Sequence, residues 1–244
     1  MPKLAVIGGS GLEKLVGGKA KQVKTEFGTA SVLRGELGGK PFFFISRHGP
    51  GHDIPPHMIN HRANLRALAE LGATDILSLC AAGSTNKKGY RVGDIVIVRD
   101  LFKLSPGPTF FDSFKDAPMH TGMDEPYSPA LVKKVRDAAS LSGVAIKDGA
   151  VITDTAGPRY ETKTEVRVLA SFGIDLAGMT TVSEAILANE LRTAGYPVLN
   201  ATLAIVTNYG TGLVGKVDHD KVDAVVKERE KDVEGILYQL VGMM

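Results

Sequence analysis

Short apolar runs alternate along the first half of the chain with segments of helical period, and few folds accommodate such an order. The apolar runs have the length of buried strands and occupy residues 4–7, 42–46, 76–79 and 95–98. Between them Leu65, Leu68 and Leu71 recur at helical spacing in the segment 61–71, which Gly72 ends. Alternating strands and helices predict a sheet that is covered by helices.

The second half of the chain continues this alternation. Its apolar patterns predict helices at 129–141, 162–172 and 221–240 and strands at 150–153 and 199–206. No linker or repeat divides the chain, so we predict one α/β domain, residues 1–244, with a central mixed sheet flanked by helices. The stretch 104–129 lacks periodicity and is either a long mobile loop or a segment ordered by another subunit.

Composition excludes several classes of protein. The chain has 244 residues, of which 43% are hydrophobic and 23% charged, and its net charge of +2 favours neither nucleic acid nor an acidic membrane as partner. No apolar run approaches the roughly 20 residues of a membrane-spanning helix. The single Cys80 cannot form an intramolecular disulfide, and no leader-like pattern precedes the first strand. We therefore expect a cytoplasmic protein.

Glycines and one serine follow the first predicted strand. Gly8, Gly9, Ser10 and Gly11 would let backbone amides turn towards an anion, and Ser10 adds a hydroxyl donor. Such a turn also serves dinucleotide binding or simple chain reversal. However, the segment lacks both the G-x-G-x-x-G spacing and the lysine of a P-loop, so ATP hydrolysis is not indicated.

Two further strand ends carry candidate anion ligands. Arg47 and His48 come directly after the strand 42–45, where a guanidinium and an imidazole can meet one anion. The alternative is an exposed arginine paired with a surface acid. The segment 80–84, CAAGS, offers small residues at a third strand end, either for backbone contact with a ligand or for tight packing.

Several segments in this order resemble the trimeric purine nucleoside phosphorylase and methylthioadenosine phosphorylase family, nearest to its 6-oxopurine members. They are GGSGL at the start, SRHG at 46–49, NHRAN at 60–64, CAAGS at 80–84, GPRYET at 157–162, GMTTVSE at 178–184 and VTN at 206–208. The likeness covers most of the chain. It implies the nucleoside phosphorylase fold, a homotrimer or dimer of trimers with active sites near subunit borders, and reversible cleavage of a nucleoside by inorganic phosphate as co-substrate. It implies no metal or organic cofactor.

The resemblance also implies a phosphate site. Its members would be Ser10, Arg47, His48, the backbone at Cys80 and Ala81, and the hydroxyl of Thr180. Cys80 stands where relatives have a hydroxyl or amide residue, so its thiol is expected to pack rather than donate. Cleavage builds positive charge on the sugar, and a phosphate held against the anomeric carbon would stabilise that charge and capture it.

By the same resemblance, Asn208 and Glu161 would contact the purine and, with His48, carry the catalysis. Asn208 would donate near N7 or O6 of the leaving base, whereas relatives that select 6-aminopurines carry aspartate there. Gly210 departs from the second acidic position of that pattern. Glu161 would accept the N1 hydrogen of hypoxanthine or guanine. Its alternative role is to cap the helix 162–172.

Four more residues are implied around the sugar and base. Met179 would form the floor beneath the ribose, and Tyr160 would stack near the purine, although both residue types also fill cores. His219 would reach the 5′ hydroxyl or simply lie on the surface at a helix start. His120 of a neighbouring subunit would contact the 5′ end of the substrate, or His120 would be a solvated loop residue.

These features predict phosphorolysis of 6-oxopurine nucleosides, inosine and guanosine, to the free base and ribose 1-phosphate. A methylthioinosine or methylthioadenosine phosphorylase is the first alternative. Hydrolysis by water is a second, and the anion ligands argue against it, since water needs none. A purine-sensing module without activity is a third.

Overall fold

The computed structural model describes residues 3–9, 20–103, 105–115 and 119–244, and within them it contains nine strands and five α-helices. The strands are β1 (Leu4–Gly8), β2 (Lys21–Thr25), β3 (Gly28–Leu37), β4 (Lys40–Ser46), β5 (Asp75–Ser84), β6 (Ile95–Phe102), β7 (Lys147–Asp154), β8 (Leu176–Gly178) and β9 (Leu199–Tyr209). The helices are α1 (His61–Glu70), α2 (Pro129–Leu141), α3 (Lys163–Ser171), α4 (Thr181–Thr193) and α5 (His219–Gly242).

All nine strands belong to one mixed sheet in the order β2-β3-β4-β1-β5-β8-β7-β6-β9. Strands β4, β1, β5 and β9 run parallel side by side, because β5 pairs with β9 as well as with β1. The extra β5–β9 pairing closes β5, β8, β7, β6 and β9 into a small barrel. The carboxyl ends of the four parallel strands therefore meet at one edge.

Helices cover both faces of the sheet, as the sequence of β1 requires. Its residues are all buried, and alternate ones point to opposite faces. Leu4 and Val6 belong to the core that α2 and α5 cover, whereas Ala5 and Ile7 belong to the core under α1 and α4. A third apolar cluster fills the barrel. The predicted α/β fold with a mixed sheet flanked by helices is confirmed.

Side chains satisfy free backbone amides at the starts of α1, α3 and α4. Asn60 accepts from the Ala63 amide at the start of α1, and Thr162 forms a reciprocal capping box with Glu165 at the start of α3. At the start of α4 the buried carboxylate of Asp154 accepts from the first turn. Because Asp154 ends β7, this contact ties α4 directly to the sheet edge.

The predicted strands and helices all occur, and four elements were not predicted. Strands β2 and β3 form an antiparallel hairpin whose residues alternate between exposed and more buried positions, so no apolar run marks them. Helix α4 is buried along most of its length and lacks a polar face, and β8 has only three residues. The described part of the stretch 104–129 contains no helix or strand before Pro129.

Candidate active site

A cavity of about 750 Å³ opens at the edge where the parallel strands end. Each strand end contributes to it: Gly9 follows β1, Arg47 and His48 follow β4, and Asn208 lies near the end of β9. The remaining predicted residues on its wall are Cys80, Ala81, Tyr160, Glu161, Met179, Thr180 and His219. Most of the predicted site thus converges on one cavity, as expected for this kind of sheet.

The glycine turn, the arginine and the histidine lie together at one end of the cavity, which we call the anion end. A Cβ atom at Gly9 would lie 3.9 Å from both Nη1 of Arg47 and Cδ2 of His48. The absence of a side chain at Gly9 therefore leaves room for a ligand beside both groups. Ser10, predicted here as a hydroxyl donor, lies outside the described residues.

The Arg47 guanidinium is buried and largely occupied by protein acceptors. Its Nε and Nη2 donate to the two carboxylate oxygens of Glu184 at 2.6 and 3.0 Å. Nη2 also donates to the Ile7 carbonyl at 2.9 Å, and Nη1 to the Leu79 carbonyl at 2.7 Å. Since a guanidinium has five N–H donors, one Nη1 hydrogen has no partner among the described residues. The sequence predicted that the Arg47 guanidinium would bind an anion, and this single N–H is the donor that remains for it.

His48 is held as a neutral ring with a defined tautomer. Its Nδ1 lies 2.9 Å from the Ile54 carbonyl oxygen, which can only accept, so Nδ1 carries the hydrogen. Burial lowers the pKa of His48 to about 4, and the Arg47 and His52 charges act in the same direction. At neutral pH the lone pair of His48 is therefore on Nε2.

Cys80 contributes a buried thiol to the cavity wall. Burial raises the pKa of Cys80 to about 12, and the Thr181 hydroxyl lies 3.6 Å from its sulfur. The thiol consequently remains protonated at neutral pH. This agrees with the packing role expected for the side chain.

A β-bulge aims Asn208 into the cavity. Along β5 and β9, Ala82 pairs with Val206 but Gly83 pairs with Asn208, which leaves Thr207 as the extra residue. A Cβ at Gly83 would lie only 3.0 Å from Nδ2 of Asn208, so the glycine makes room for the amide. The Thr207 hydroxyl donates to Oδ1 of Asn208 at 3.0 Å, and Nδ2 donates to the Tyr209 carbonyl at 3.1 Å. One N–H and one lone pair of the amide remain for a ligand.

Glu161 places a carboxylate on the same wall. The residue is buried, and its Oε1 accepts from the Thr155 hydroxyl at 2.7 Å. Among the described residues no donor reaches its Oε2. The alternative role of Glu161 as the cap of α3 is wrong, because Thr162 and Glu165 form that cap. Glu161 therefore does not cap the helix, and its Oε2 can accept a hydrogen bond from a ligand.

One face of α5 forms another part of the cavity wall. His219, Val222, Asp223 and Val226 line the cavity at the spacing of successive helical turns. Nδ1 of His219 lies 2.9 Å from the Tyr160 hydroxyl, and its Nε2 lies 4.0 Å from a carboxylate oxygen of Asp223. His219 is thus the first residue of α5, as its surface interpretation expects, and it also lines the cavity; its contact with a 5′ hydroxyl stays a prediction.

Met179 is half-buried on the wall, at a place that Gly157 leaves open. A Cβ at Gly157 would lie 2.6 Å from the Met179 sulfur.

Two other predicted residues lie away from the cavity. Gly210 is buried against Val166, whose two methyl groups would lie 3.0 Å from a Cβ at that position. His120 is exposed and packs its ring edge against Phe114, at 5.4 Å between centroids.

Several wall residues were not predicted from the sequence. The loop from His52 to Pro56 lies over the anion end, and His52 has a positive φ of 54°. Its position just after Arg47 and His48 is the signal that points to it. Val222, Asp223 and Val226 follow from His219 by helical spacing, but Thr207 reaches the cavity through a bulge that no sequence pattern announced.

The structure holds no candidate metal cluster or membrane helix in the part of the chain that it describes. No three His, Cys, Asp or Glu side chains in these ranges are grouped as a metal ion requires. Likewise, none of the described helices combines the length and apolar character needed to cross a bilayer.

Sequence relatives carry names from one group of enzymes. The chain is 36% identical to the 6-oxopurine nucleoside phosphorylase of Pyrococcus furiosus, over 100% of this chain and 94% of the relative. It is 37% identical to a probable S-methyl-5′-thioinosine phosphorylase of Methanopyrus kandleri, over 96% and 90%. It is 35% identical to an S-methyl-5′-thioadenosine phosphorylase of Thermofilum pendens, over 98% and 91%.

Solved structures agree with the sequence relatives. The methylthioadenosine phosphorylase of Schistosoma mansoni in complex with adenine superposes with a TM-score of 0.89 at 28% identity, over 100% of this chain and 92% of that one. The family model described as the phosphorylase superfamily matches residues 3–242. The family predicted from the motifs is therefore confirmed, and the chain belongs to the phosphorylase superfamily.

Proposed function

We propose that this protein catalyses reversible phosphorolysis of 6-oxopurine nucleosides, inosine and guanosine, to the free base and ribose 1-phosphate. The observation that carries this proposal is that one cavity combines the anion end with polar groups suited to a purine base. Arg47 and His48 lie at one end, and the wall also carries the carboxylate of Glu161 and the amide of Asn208. The relatives named 6-oxopurine nucleoside phosphorylase support the same substrate class.

The anion end would hold phosphate as the nucleophile. The donors to it would be one Nη1 hydrogen of Arg47, the Thr180 hydroxyl and the backbone at Cys80 and Ala81, residues that all line the cavity. As the glycosidic bond breaks, positive charge grows on the sugar, and an anion fixed at the anomeric carbon lowers the energy of that charge. The same phosphate then forms the new bond to the sugar, because it is already in position. The half-buried Met179 would support the ribose.

The carboxylate of Glu161 and the amide of Asn208 would select the base. Oε2 of Glu161 can accept the N1 hydrogen of a 6-oxopurine, whereas N1 of adenine is itself an acceptor. The free N–H of Asn208 can donate to N7 or O6 as negative charge collects on the leaving base. Mismatched buried polar groups can discriminate by as much as about 10⁴-fold, so this pair suffices for a strong preference.

The wall formed by α5 supports a second candidate. His219 and Asp223 offer polar groups to a 5′ hydroxyl, but Val222 and Val226 beside them are apolar. A methylthio group would find apolar contacts there, and two relatives named probable S-methyl-5′-thioinosine phosphorylase are 37% and 35% identical. Phosphorolysis of methylthioinosine is therefore the alternative activity of the same site.

We also infer the location, assembly and cofactor requirement of the enzyme. We propose a cytoplasmic homotrimer, or a dimer of trimers, that needs inorganic phosphate but no metal or organic cofactor. In such an assembly the exposed His120 would complete the 5′ end of a neighbouring subunit's cavity. Sedimentation of the purified protein measures the assembly, and His120→Ala tests the contribution across the border.

Substrate profiling tests the proposed reaction. Inosine, guanosine, adenosine, methylthioinosine and methylthioadenosine are incubated with and without phosphate, and base release is measured. We expect release from inosine and guanosine only with phosphate, and a shift towards adenosine in Asn208→Asp, where a protonated carboxyl can donate to N7 and accept from an amine. Phosphate-independent release would indicate a hydrolase, and binding without cleavage would indicate a sensor.

A further inference from the structure

We propose that Glu184 is a positioning residue of the anion end, which orients Arg47 so that one N–H is aimed at phosphate. This inference rests on the proposed phosphorolysis. Glu184 does not line the cavity, and among the described residues it acts on the anion end through Arg47. It is the last residue of the segment 178–184, but the sequence assigns it no role.

The Arg47–Glu184 pair is fixed from both sides. Both side chains are 1% exposed, and the two short hydrogen bonds between them form a bidentate contact. Arg47 follows β4 on the sheet edge, while Glu184 lies in the first turn of α4, which Asp154 ties to the end of β7. Arg47 is thereby held between two rigid elements.

The backbone carbonyls complete the orientation. Ile7 and Leu79 each accept one further Arg47 hydrogen, and these residues lie on β1 and β5, the strands on which the anion end is built. A guanidinium is planar, so fixing four hydrogens fixes the direction of the fifth. That hydrogen is on Nη1, the nitrogen nearest the space above Gly9.

The charges show why orientation matters at this end. Burial acts to raise the pKa of Glu184, but the adjacent Arg47 charge, together with the contacts from Arg47 and His61, brings it down to about 2. The carboxylate is therefore ionised and cancels the arginine charge. His48 is neutral as well. Arg47, Glu184 and His48 together therefore bring no net positive charge, and phosphate would be held by directed donors. Buried ion pairs are not retained for stability alone, since apolar residues often replace them without loss.

The substitution Glu184→Gln separates orientation from charge, because the two predict opposite signs. It removes one negative charge, so a site that acts by net charge would bind phosphate more tightly. A site that acts by orientation loses half of the bidentate contact and binds phosphate more weakly. We expect the KM for phosphate to rise about tenfold or more while the KM for inosine changes less than about twofold.

A matched control removes a buried acid elsewhere. Asp75 is buried at the start of β5, the end of that strand remote from the cavity, and it accepts from Lys134 at 2.8 Å. Asp75→Asn should lower the melting temperature yet leave the KM for phosphate unchanged. An unchanged or lowered phosphate KM in Glu184→Gln would overturn the inference.

A second variant covers the case in which Glu184→Gln does not fold. Glu184→Asp keeps the charge but shortens the side chain by one methylene, so it disturbs orientation alone. A raised phosphate KM in this variant supports the inference, and an unchanged one overturns it. Wild-type protein is assayed in parallel: phosphate-independent release by wild type overturns the proposed function, whereas phosphate-dependent wild type with unaltered variants overturns only the role of Glu184.

Discussion

The anion end and the wall formed by α5 are built in contrasting ways. At the anion end Arg47 and Glu184 are 1% exposed, and their hydrogen bonds reach three elements of the core. On the α5 wall His219 and Asp223 are 65% and 63% exposed and touch few neighbours. A group fixed by the core cannot change without disturbing the fold, whereas an exposed helix face can. The comparison predicts that the reaction depends on the core and that the choice of 5′ substituent depends on α5.

The largest effect is expected from Arg47→Met. This change removes the donor to phosphate and deprives the buried Glu184 carboxylate of its bidentate partner, leaving it the His61 Nδ1 at 3.7 Å from Oε1. We therefore expect a loss of about 3–5 kcal/mol in stability and a loss of about 10³-fold in kcat/KM for phosphate. Denaturant unfolding and steady-state kinetics measure the two losses.

The double variant Arg47→Met, Glu184→Leu separates these losses. Replacing the whole buried pair by apolar side chains should restore most of the stability. Activity should remain low, because no donor faces the phosphate. Recovery of both properties together would contradict the role assigned to Arg47.

A smaller effect is expected from Glu161→Gln. The change removes the charged acceptor for the N1 hydrogen, so kcat/KM for inosine should fall by about 100-fold while the KM for phosphate stays constant. Glu165→Gln is the matched control, since Glu165 caps α3 from the neighbouring turn and does not line the cavity. Equal losses in the two variants would mean that Glu161 acts only through the helix.

On the α5 wall, His219→Val should shift specificity while leaving the reaction intact. Loss of the polar ring and gain of an apolar side chain should move the ratio of kcat/KM from inosine towards methylthioinosine by about tenfold. Paired assays of both substrates measure the shift. A fall for both substrates alike would place His219 in the reaction itself and erase the contrast between the two regions.

The same contrast explains what the sequence could predict. Buried strands and their ends can be recognised in the sequence as apolar runs. Arg47 and His48 could therefore be placed at a strand end and near one another. The partner of Arg47 could not be found, because Glu184 lies 137 residues away and the pairing depends on the packing of α4. The hairpin β2–β3 was missed because only one of its faces is apolar.

Residues that depend on local backbone irregularity were also beyond prediction. Asn208 was found through a motif, but the bulge at Thr207 that aims its amide has no periodic signature. Gly210 lies two residues beyond that motif and falls outside the cavity, because it packs against Val166. A motif locates a segment, whereas the direction of each side chain depends on the strand register.

The smallest effect is expected from protonation of His48. This residue belongs to the anion end, but its exposure is intermediate between that of Arg47 and that of His219. Its pKa of about 4 in the folded protein is below the ordinary value of 6.5, so between these values the unfolded chain binds more protons. The His48 contribution to stability is therefore fully present above pH 6.5 and is lost as the pH falls towards 4. The difference in melting temperature between wild type and His48→Asn should be constant above pH 6.5 and change only in that window, where wild type declines more steeply. An NMR titration of the imidazole with a midpoint near 6.5 would instead mean that the ring is solvated, and the anion end would then carry a titrating charge that its buried construction argues against.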